Sequence, residues 1–500
     1  MTIKLPIIPL LLLSAFTASS ISTPAFAAAP AAPAASAKRH PNMGVATHFG
    51  GGHPNIGLYW RPDELFPLID ELGVGWIRDG TGWGVIEPEK GRYHISEQRR
   101  YWIEKAHALG INICFILGNE KGHPLYKNPY DPEAYARAAA FLAREFAGKI
   151  QAIEVMNEPA NFGFTKHFGG TWNGINKDGS VQSWLAKYVE ILNATARAVK
   201  AVNPDIKVIG LGSVSPVNFR QLAIGLAPEV DGIVDHPYSF RTVPELIPYA
   251  ASPHIIERDG IATADEHGAF ASQIRMYREQ SARYKGPREI WHTEWGFPSY
   301  QEPRAGLIYS GVTEEAQAKY ALRRFMQSLA LGINVSVWYD LKNDGSNPHD
   351  AEHNFGLLDT RNKPKPVWHA IRRLASFMKD YTPVPRPPEI NITTFNTRTD
   401  QWPITWDGGR LAAPGTVMSY LFHNDTGQHM LAVWSTERAG GDLQPRVADI
   451  EIMMPNTISG VKSFDLWTGE TSPMKFEQKP GRLRLPAFGI PSHPVAIIIE

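Results

Sequence analysis

DPEAYARAAAFLAREFAGKIQAIEVMNEP, residues 131–159, is the stretch on which the fold turns. Asp131 offers a side-chain oxygen to the first turn of a helix and Pro132 suits its first position, so the run predicts a helix over 131–146. Residues 150–156 then form a short apolar run of strand length. It stops at Asn157-Glu158-Pro159, because proline has no N–H with which to continue a ladder. The same alternation extends in both directions. Strands are predicted at 43–49, 75–79, 111–117, 150–156, 207–212, 232–236, 289–293 and 334–339. Helices are predicted near 62–72, 96–109, 131–146, 181–202, 217–226, 262–284, 313–331 and 364–378. Eight strand–helix pairs within residues 42–381 fit an α/β fold, the (β/α)8 TIM barrel. A doubly wound open sheet is the alternative, but Gly50-Gly51-Gly52 after the first strand is not followed by the Gly-x-x-Gly helix approach that such a fold brings.

Past residue 381 the pattern changes. Pro383, Pro385, Pro387 and Pro388 punctuate the boundary, and the helical period disappears. Runs at 431–434, 449–453, 463–467, 482–485 and 495–499 are short, often alternating, and separated by Gly, Pro and Asn. They predict an antiparallel β-sandwich domain over 382–500, ending in a buried strand. At the other end, Lys4, an apolar stretch and Ala25-Phe26-Ala27 follow the order of a secretory signal peptide, residues 1–27. The apolar stretch is too short for a transmembrane anchor and is broken by Pro6 and Pro9. Residues 28–41, rich in Ala and Pro, read as a flexible leader.

The chain has 500 residues, with 50 Lys+Arg balancing 50 Asp+Glu. Loss of the signal, whose only charge is Lys4, would leave 49 basic and 50 acidic residues, a net charge of −1. Such a balance gives no long-range pull on a phosphate backbone, so nucleic acid is excluded as the expected partner. The single cysteine, Cys114, can form no disulfide within the chain. The expectation is an exported protein, periplasmic or extracellular, monomeric and with no transmembrane segment after signal cleavage. Aromatic residues make up 11% of the chain, 14 of them Trp, a supply that suits stacking on flat neutral ligands such as sugars.

Two segments place a carboxylate at the C-terminal end of a predicted barrel strand. Ile153-Glu154-Val155-Met156-Asn157-Glu158 closes the fourth, and Trp291-His292-Thr293-Glu294-Trp295-Gly296 closes the seventh. Strand ends converge on one mouth of a barrel, so Glu158 and Glu294 are expected to face each other there. Two opposed carboxyls are what glycosidic bond cleavage needs, one to protonate the leaving oxygen and one to attack the anomeric carbon. Retaining geometry puts them roughly 5–5.5 Å apart. Glu158 is the candidate acid/base, with Asn157 beside it to hold a sugar hydroxyl. Glu294, the candidate nucleophile, must stay ionised, and Arg78 and Tyr238 are the expected donors to it. His236, in Asp235-His236-Pro237-Tyr238, could orient either carboxylate, whereas Glu154 reads as structural. Trp338 is the candidate floor under the sugar ring. Trp83, Trp172 and Tyr339 sit where stacking subsites would lie, and Asn119, Glu120 and His123 follow strand three toward the cleft. Glu87 reads as a turn residue. The histidines and carboxylates are spread along the chain without metal-ligand spacing, so neither a metal nor another cofactor is expected. No Gly-x-Ser-x-Gly elbow of an esterase is present.

At Asn157-Glu158-Pro159 and Thr293-Glu294-Trp295-Gly296 the sequence resembles the clan A glycoside hydrolases. Gly44-Val45-Ala46-Thr47-His48-Phe49, Trp76-Ile77-Arg78-Asp79-Gly80 and Trp83-x-x-Ile86-Glu87-Pro88-Glu89-Lys90-Gly91-x-Tyr93 are similar to family 39, and within it to bacterial exopolysaccharide endoglycosidases of the PslG type. Families 5 and 30 share much of the pattern. The resemblance spans residues 43–500 and includes the β-domain. It implies a retaining β-glycoside hydrolase with Glu158 as acid/base and Glu294 as nucleophile, supported by His236, Tyr238 and Trp338. His48, in the first motif, joins Asn157, Arg78, Trp83 and Trp172 as expected substrate contacts. The expected substrate is a polysaccharide or oligosaccharide, attacked internally. A xylosidase-like exo action and a silent glycan-binding protein on the same fold are the alternatives.

Overall fold

Eight parallel strands close into a ring: β1 (His40–Ala46), β2 (Val74–Gly82), β3 (Asn112–Gly118), β4 (Ala152–Val155), β5 (Lys207–Ser213), β6 (Gly232–Asp235), β7 (Glu289–Trp295) and β8 (Val335–Trp338). This computed structural model describes residues 39–500 apart from 52–59, 162, 248–252, 302–308, 310, 396–400, 404–409, 413–416, 441–443 and 455–456. The expected export signal, 1–27, and most of the expected leader lie outside the described residues. β1 pairs in parallel with both β2 and β8, which is what closes the barrel.

Side chains alternate along each strand. Ala46, Trp76, Cys114, Ala152, Ile209, Val234, Trp291 and Val335 fill the interior. Their neighbours Val45, Ile77, Ile113, Ile153, Val208, Ile233 and Ile290 face the helix layer and join one large apolar core. The Trp76 and Trp291 rings meet edge to face at 5.1 Å in the interior. Gly232 makes room for them, since a Cβ there would stand 2.6 Å from the Trp291 ring.

The eight predicted helices are present, and the caps work as the sequence suggests. Ser96, Asp131 and Thr313 accept from the N–H groups of Arg99, Ala134 and Ala316. One helix starts later than its pattern predicts, at Phe270 rather than 262. Asp265 accepts from the N–H groups of His267 and Ala269, and Gly268 adopts φ +66°, so the chain turns before the helix begins. Among the described residues no helix is long and apolar enough to cross a membrane.

β1 also begins earlier than predicted and takes in His40 and Pro41, read from sequence as leader. Buried Arg39 meets Asp70 and the Leu109 carbonyl, and the Trp76 indole donates to the Pro41 carbonyl at 2.7 Å. These partners are distant in sequence, so local composition does not announce them.

The C-terminal residues form antiparallel sheets. One has six strands, in the order Thr471–Pro473, Val461–Asp465, Val495–Ile499, His429–Ser435, Val417–Asn424 and Tyr381–Pro383. The second has four, in the order Ile390–Thr394, Arg446–Met453, Arg482–Ile490 and Glu477–Lys479, and Gln401–Pro403 pairs separately with Arg410–Ala412. Alternation divides the six-stranded sheet between two cores. Met430, Ala432, Trp434, Ala496 and Ile498 pack with the barrel helices. Leu431, Val433, Ile497 and Ile499 pack against Ile450, Ile452, Leu483 and Leu485 of the facing sheet. The last strand is therefore buried on both faces.

A buried ion pair locks the sheet to the barrel. Arg323 donates through Nε to Glu245 at 2.8 Å and through Nη1 to the Glu437 carbonyl at 2.7 Å, while the Trp434 indole donates to Glu245 at 2.7 Å. Removing one partner of a buried pair strands the other charge, at a cost of about 3–5 kcal/mol. Arg323→Met should lower the calorimetric unfolding temperature markedly, and adding Glu245→Gln should recover part of the loss. A single variant that melts with wild type would show that the pair contributes nothing.

Candidate active site

Four strands deliver their C-terminal ends to one cluster. Arg78 lies on β2 with its guanidinium buried. Its Nε and Nη2 donate to the two oxygens of Glu154 at 2.8 Å each, the planar two-pronged match that only arginine offers. Its Nη1 donates to Glu294 Oε2 at 2.7 Å, and Nη2 also reaches Asn157 Oδ1 at 2.7 Å. Glu154, read from sequence as structural, is thus the residue that aims Arg78.

Local backbone irregularities turn the two glutamates into the mouth. Beyond β4, Met156 and Glu158 hold φ values of 62° and 38°. Such left-handed residues other than glycine cost of the order of 1–3 kcal/mol each and persist where surrounding contacts impose them. On β7 the register against β8 slips between His292 and Trp295, as in a bulge. Thr293 and Trp295 point to opposite layers, and the slip leaves Glu294 facing the opening. An oxygen from each of Glu158 and Glu294 and a ring nitrogen of His236 lie within 4.8 Å of one another. Glu158 and Glu294 expose 17% and 13% of their side chains, so each keeps one face open to a ligand.

Hydrogen bonds distinguish the pair. Glu294 accepts from Arg78 on one oxygen and from the Tyr238 hydroxyl, at 2.8 Å, on the other. Glu158 shares a 2.7 Å hydrogen bond with His236 Nδ1 and accepts from Asn161 at 3.0 Å. The other His236 nitrogen meets Thr293 Oγ1 at 3.0 Å. Burial alone would raise the Glu154 carboxyl, but the Arg78 guanidinium overrides it and holds the group at about 2. Burial also favours a neutral His236, yet the charges of Glu294, Glu154 and Glu158 push it up to about 9. Burial would raise Glu158 as well, and the His236 ring beside it instead holds it below the usual carboxylate range. At neutral pH the pair therefore carries one proton, shared between the imidazole and the carboxylate.

Several aromatic expectations need correction. Trp338 is fully buried and turned outward. Val335, Val337 and Tyr339 share the interior parity of β8, whereas Trp338 packs edge to face on Trp295 at 5.1 Å and donates to the Phe355 carbonyl. Tyr339 is the β8 ring on the mouth side. Trp83 is also fully buried, its indole on Glu87 and its ring against His123 and Tyr126. It packs a loop and offers no stacking face. Glu87 gathers that loop by accepting from Trp83, Gly91 and Tyr126. Trp172 lies half-buried under the Arg258 guanidinium at 4.7 Å, a contact outside the glutamate cluster. Asn119 bonds the Pro129 carbonyl, and Glu120 is exposed. His48 turns instead toward Asp340, 3.5 Å away. The rings beside the cluster are Tyr238, Phe240, Tyr309, Phe355 and Tyr339: Tyr238 meets Phe240, Tyr309 and Phe355, Tyr309 meets Phe240 and Phe355, and Phe355 meets Tyr339, all at 5.3–6.1 Å. Tyr309 and Phe355 lie on loops, where no strand-end pattern marks them.

No protein-family model matches the sequence, and no curated protein matches it. Among solved structures, the fold is similar to that of a family 39 glycoside hydrolase from the gut symbiont Bacteroides cellulosilyticus WH2. That match has 22% identity over 93% of this chain and 82% of the other, with a TM-score of 0.63. It is similar too to a family 30 endoxylanase from Clostridium papyrosolvens C71, at 13% identity over 92% and 96% and a TM-score of 0.50. A glucosidase from Croceicoccus marinus gives 13% over 94% and 97%, also with a TM-score of 0.50. The likeness at these identities is one of fold, a barrel with its β-domain.

Proposed function

We propose that this chain is a retaining β-glycoside hydrolase, exported, monomeric and acting on a polysaccharide or oligosaccharide without a cofactor. The observation that carries the reading is the approach of Glu158 and Glu294 to within 4.8 Å in one open-faced cluster with His236. That spacing suits direct attack and leaves no room for a water between carboxylate and sugar. Glu294, fixed by Arg78 and Tyr238, attacks the anomeric carbon as the bond to the leaving oxygen breaks. Glu158 delivers a proton to that oxygen, drawn from the pair it forms with His236. In the second step Glu158 takes a proton from water, the hydroxide oxygen bonds to the anomeric carbon, and Glu294 leaves as carboxylate. The sequence resemblance favours attack within a polymer over release of single terminal sugars.

Anomer-resolved NMR of the first product from a panel of β-linked glycans tests the proposal. The product should keep the β configuration and be an oligosaccharide. An α product would overturn retention, single sugars alone would make the action exo, and binding without cleavage would make the chain a glycan-binding protein. The pH profile carries a second expectation. As pH rises through about 9 the pair loses its proton, so kcat/KM should fall on the alkaline side near that value. His236→Gln should cost roughly 10²–10³-fold and move that limb to lower pH, because Glu158 must then hold the proton alone. An unmoved limb would remove His236 from the proton path.

A further inference from the structure

We infer that His48, Asp340 and Asp344 form a site for one divalent metal ion of the Mn2+ or Zn2+ class, at the seam where the barrel closes. β1 and β8 are the first and last strands of the ring and pair with each other, and the three side chains stand just beyond their C-terminal ends. One donor atom from each residue lies within 4.8 Å of the other two, and His48 Nε2 is 3.5 Å from Asp340 Oδ2. Donors about 2.0–2.2 Å from a common ion stand roughly 3–4 Å apart, so small side-chain shifts complete the set.

The second observation is independent of the clustering. Asp340 and Asp344 are each 1% exposed; the Tyr339 side chain bonds Asp344, but among the described residues both oxygens of Asp340 and Oδ2 of Asp344 are buried without a hydrogen-bond partner. A buried carboxylate is stable when paired, hydrogen-bonded or bound to a metal. Lys365, whose charge acts on Asp340, directs its ammonium to Ser299 Oγ and the Gly356 carbonyl at 2.8 Å each. A bound ion would displace the protons of the two carboxyls, and the two carboxylates it then holds balance the charge of one divalent ion. The His48 ring is held edge-on by Trp60 at 4.9 Å and Tyr339 at 5.8 Å, so its nitrogen is presented in a fixed direction. A nitrogen donor and three protein ligands favour a first-row transition metal over Mg2+ or Ca2+. Of the three side chains, His48, at 18%, is the one that keeps part of its surface open to solvent. Among the described residues the other grouping of this kind, Glu158 with His236 and Glu294, already has its oxygens engaged by Arg78, Tyr238, Asn161 and His236. Sequence spacing hides the seam cluster because its members come from the two ends of the barrel.

The test titrates Mn2+ into the chelator-stripped chain, read by loss of the free-ion EPR signal and by thermal unfolding. One ion should bind per chain, and the unfolding temperature should rise with Mn2+ concentration, since only the folded state holds the site. Asp344→Asn and His48→Gln should each weaken binding roughly tenfold or more, while Glu158→Gln leaves it unchanged. Should the seam variants fail to fold, the His236→Asn protein decides, because its bound Mn2+ should still show coupling to one imidazole nitrogen. Absence of saturable binding, loss of binding in Glu158→Gln with retention in Asp344→Asn, or loss of the nitrogen coupling in His236→Asn would each overturn the site.

Discussion

Replacing Glu294 by Gln is expected to lower kcat on the substrate by on the order of 10^4-fold or more, with little change in stability. The magnitude follows from losing a covalent nucleophile, whose work no neighbouring group can assume. Glutamine nearly matches the shape. Arg78 donates to one oxygen of Glu294 and Tyr238 to the other; the amide oxygen can keep Arg78 while the Tyr238 hydroxyl turns to accept from the NH2, so the fold is retained and the nucleophile is lost. Azide added to Glu294→Ala would enter from the vacated side and give an α-glycosyl azide, whereas in Glu158→Ala it would intercept the glycosyl-enzyme and give the β product. Full hydrolysis by Glu294→Gln, or the reverse azide products, would exchange or remove the two roles.

The legible part of this site is the part carried by strand ends. Each barrel strand announces itself as a local apolar run, and a carboxylate just past such a run must sit at the mouth whatever the distant sequence does. That is why Glu158, Glu294, Arg78, His236 and Tyr238 could be brought together before any coordinates. Side-chain parity is harder to read. Trp338 and Tyr339 differ by one residue, so an error of one step exchanges the buried ring for the mouth-facing one. Trp83 shows a different difficulty, since a tryptophan at the start of the one-turn helix Trp83–Ile86, beside Glu87, His123 and Tyr126, is decided by packing among residues that carry no periodicity. The start of β1 depends on Arg39 finding Asp70 and on Trp76 finding Pro41. Glu154 reads from sequence only as structural, and its task of holding Arg78 needs the geometry that brings β2 and β4 to the same side of the barrel interior.

Arg78→Met should unfold at a distinctly lower temperature, with a loss of about 3–5 kcal/mol, and should hydrolyse substrate at least about 10²-fold more slowly. The stability loss arises at Glu154, fully buried and bonded through both oxygens to the guanidinium. Without Arg78 that carboxylate must take up a proton or remain charged and unpaired, and its pKa, held at about 2 by Arg78, must rise. The activity loss arises elsewhere, at Glu294 and Asn157, which Arg78 positions through its remaining hydrogen bonds. The double variant Arg78→Met with Glu154→Gln separates the two consequences. A neutral amide beside an apolar side chain no longer strands a charge, so stability should return in large part. Glu294 still lacks its donor, so hydrolysis should not return. Lysine at position 78 should behave more like methionine than like arginine, because one ammonium cannot span Glu154, Glu294 and Asn157 in a single plane. Recovery of activity along with stability in the double variant would show that Arg78 acts only as the counter-ion of Glu154.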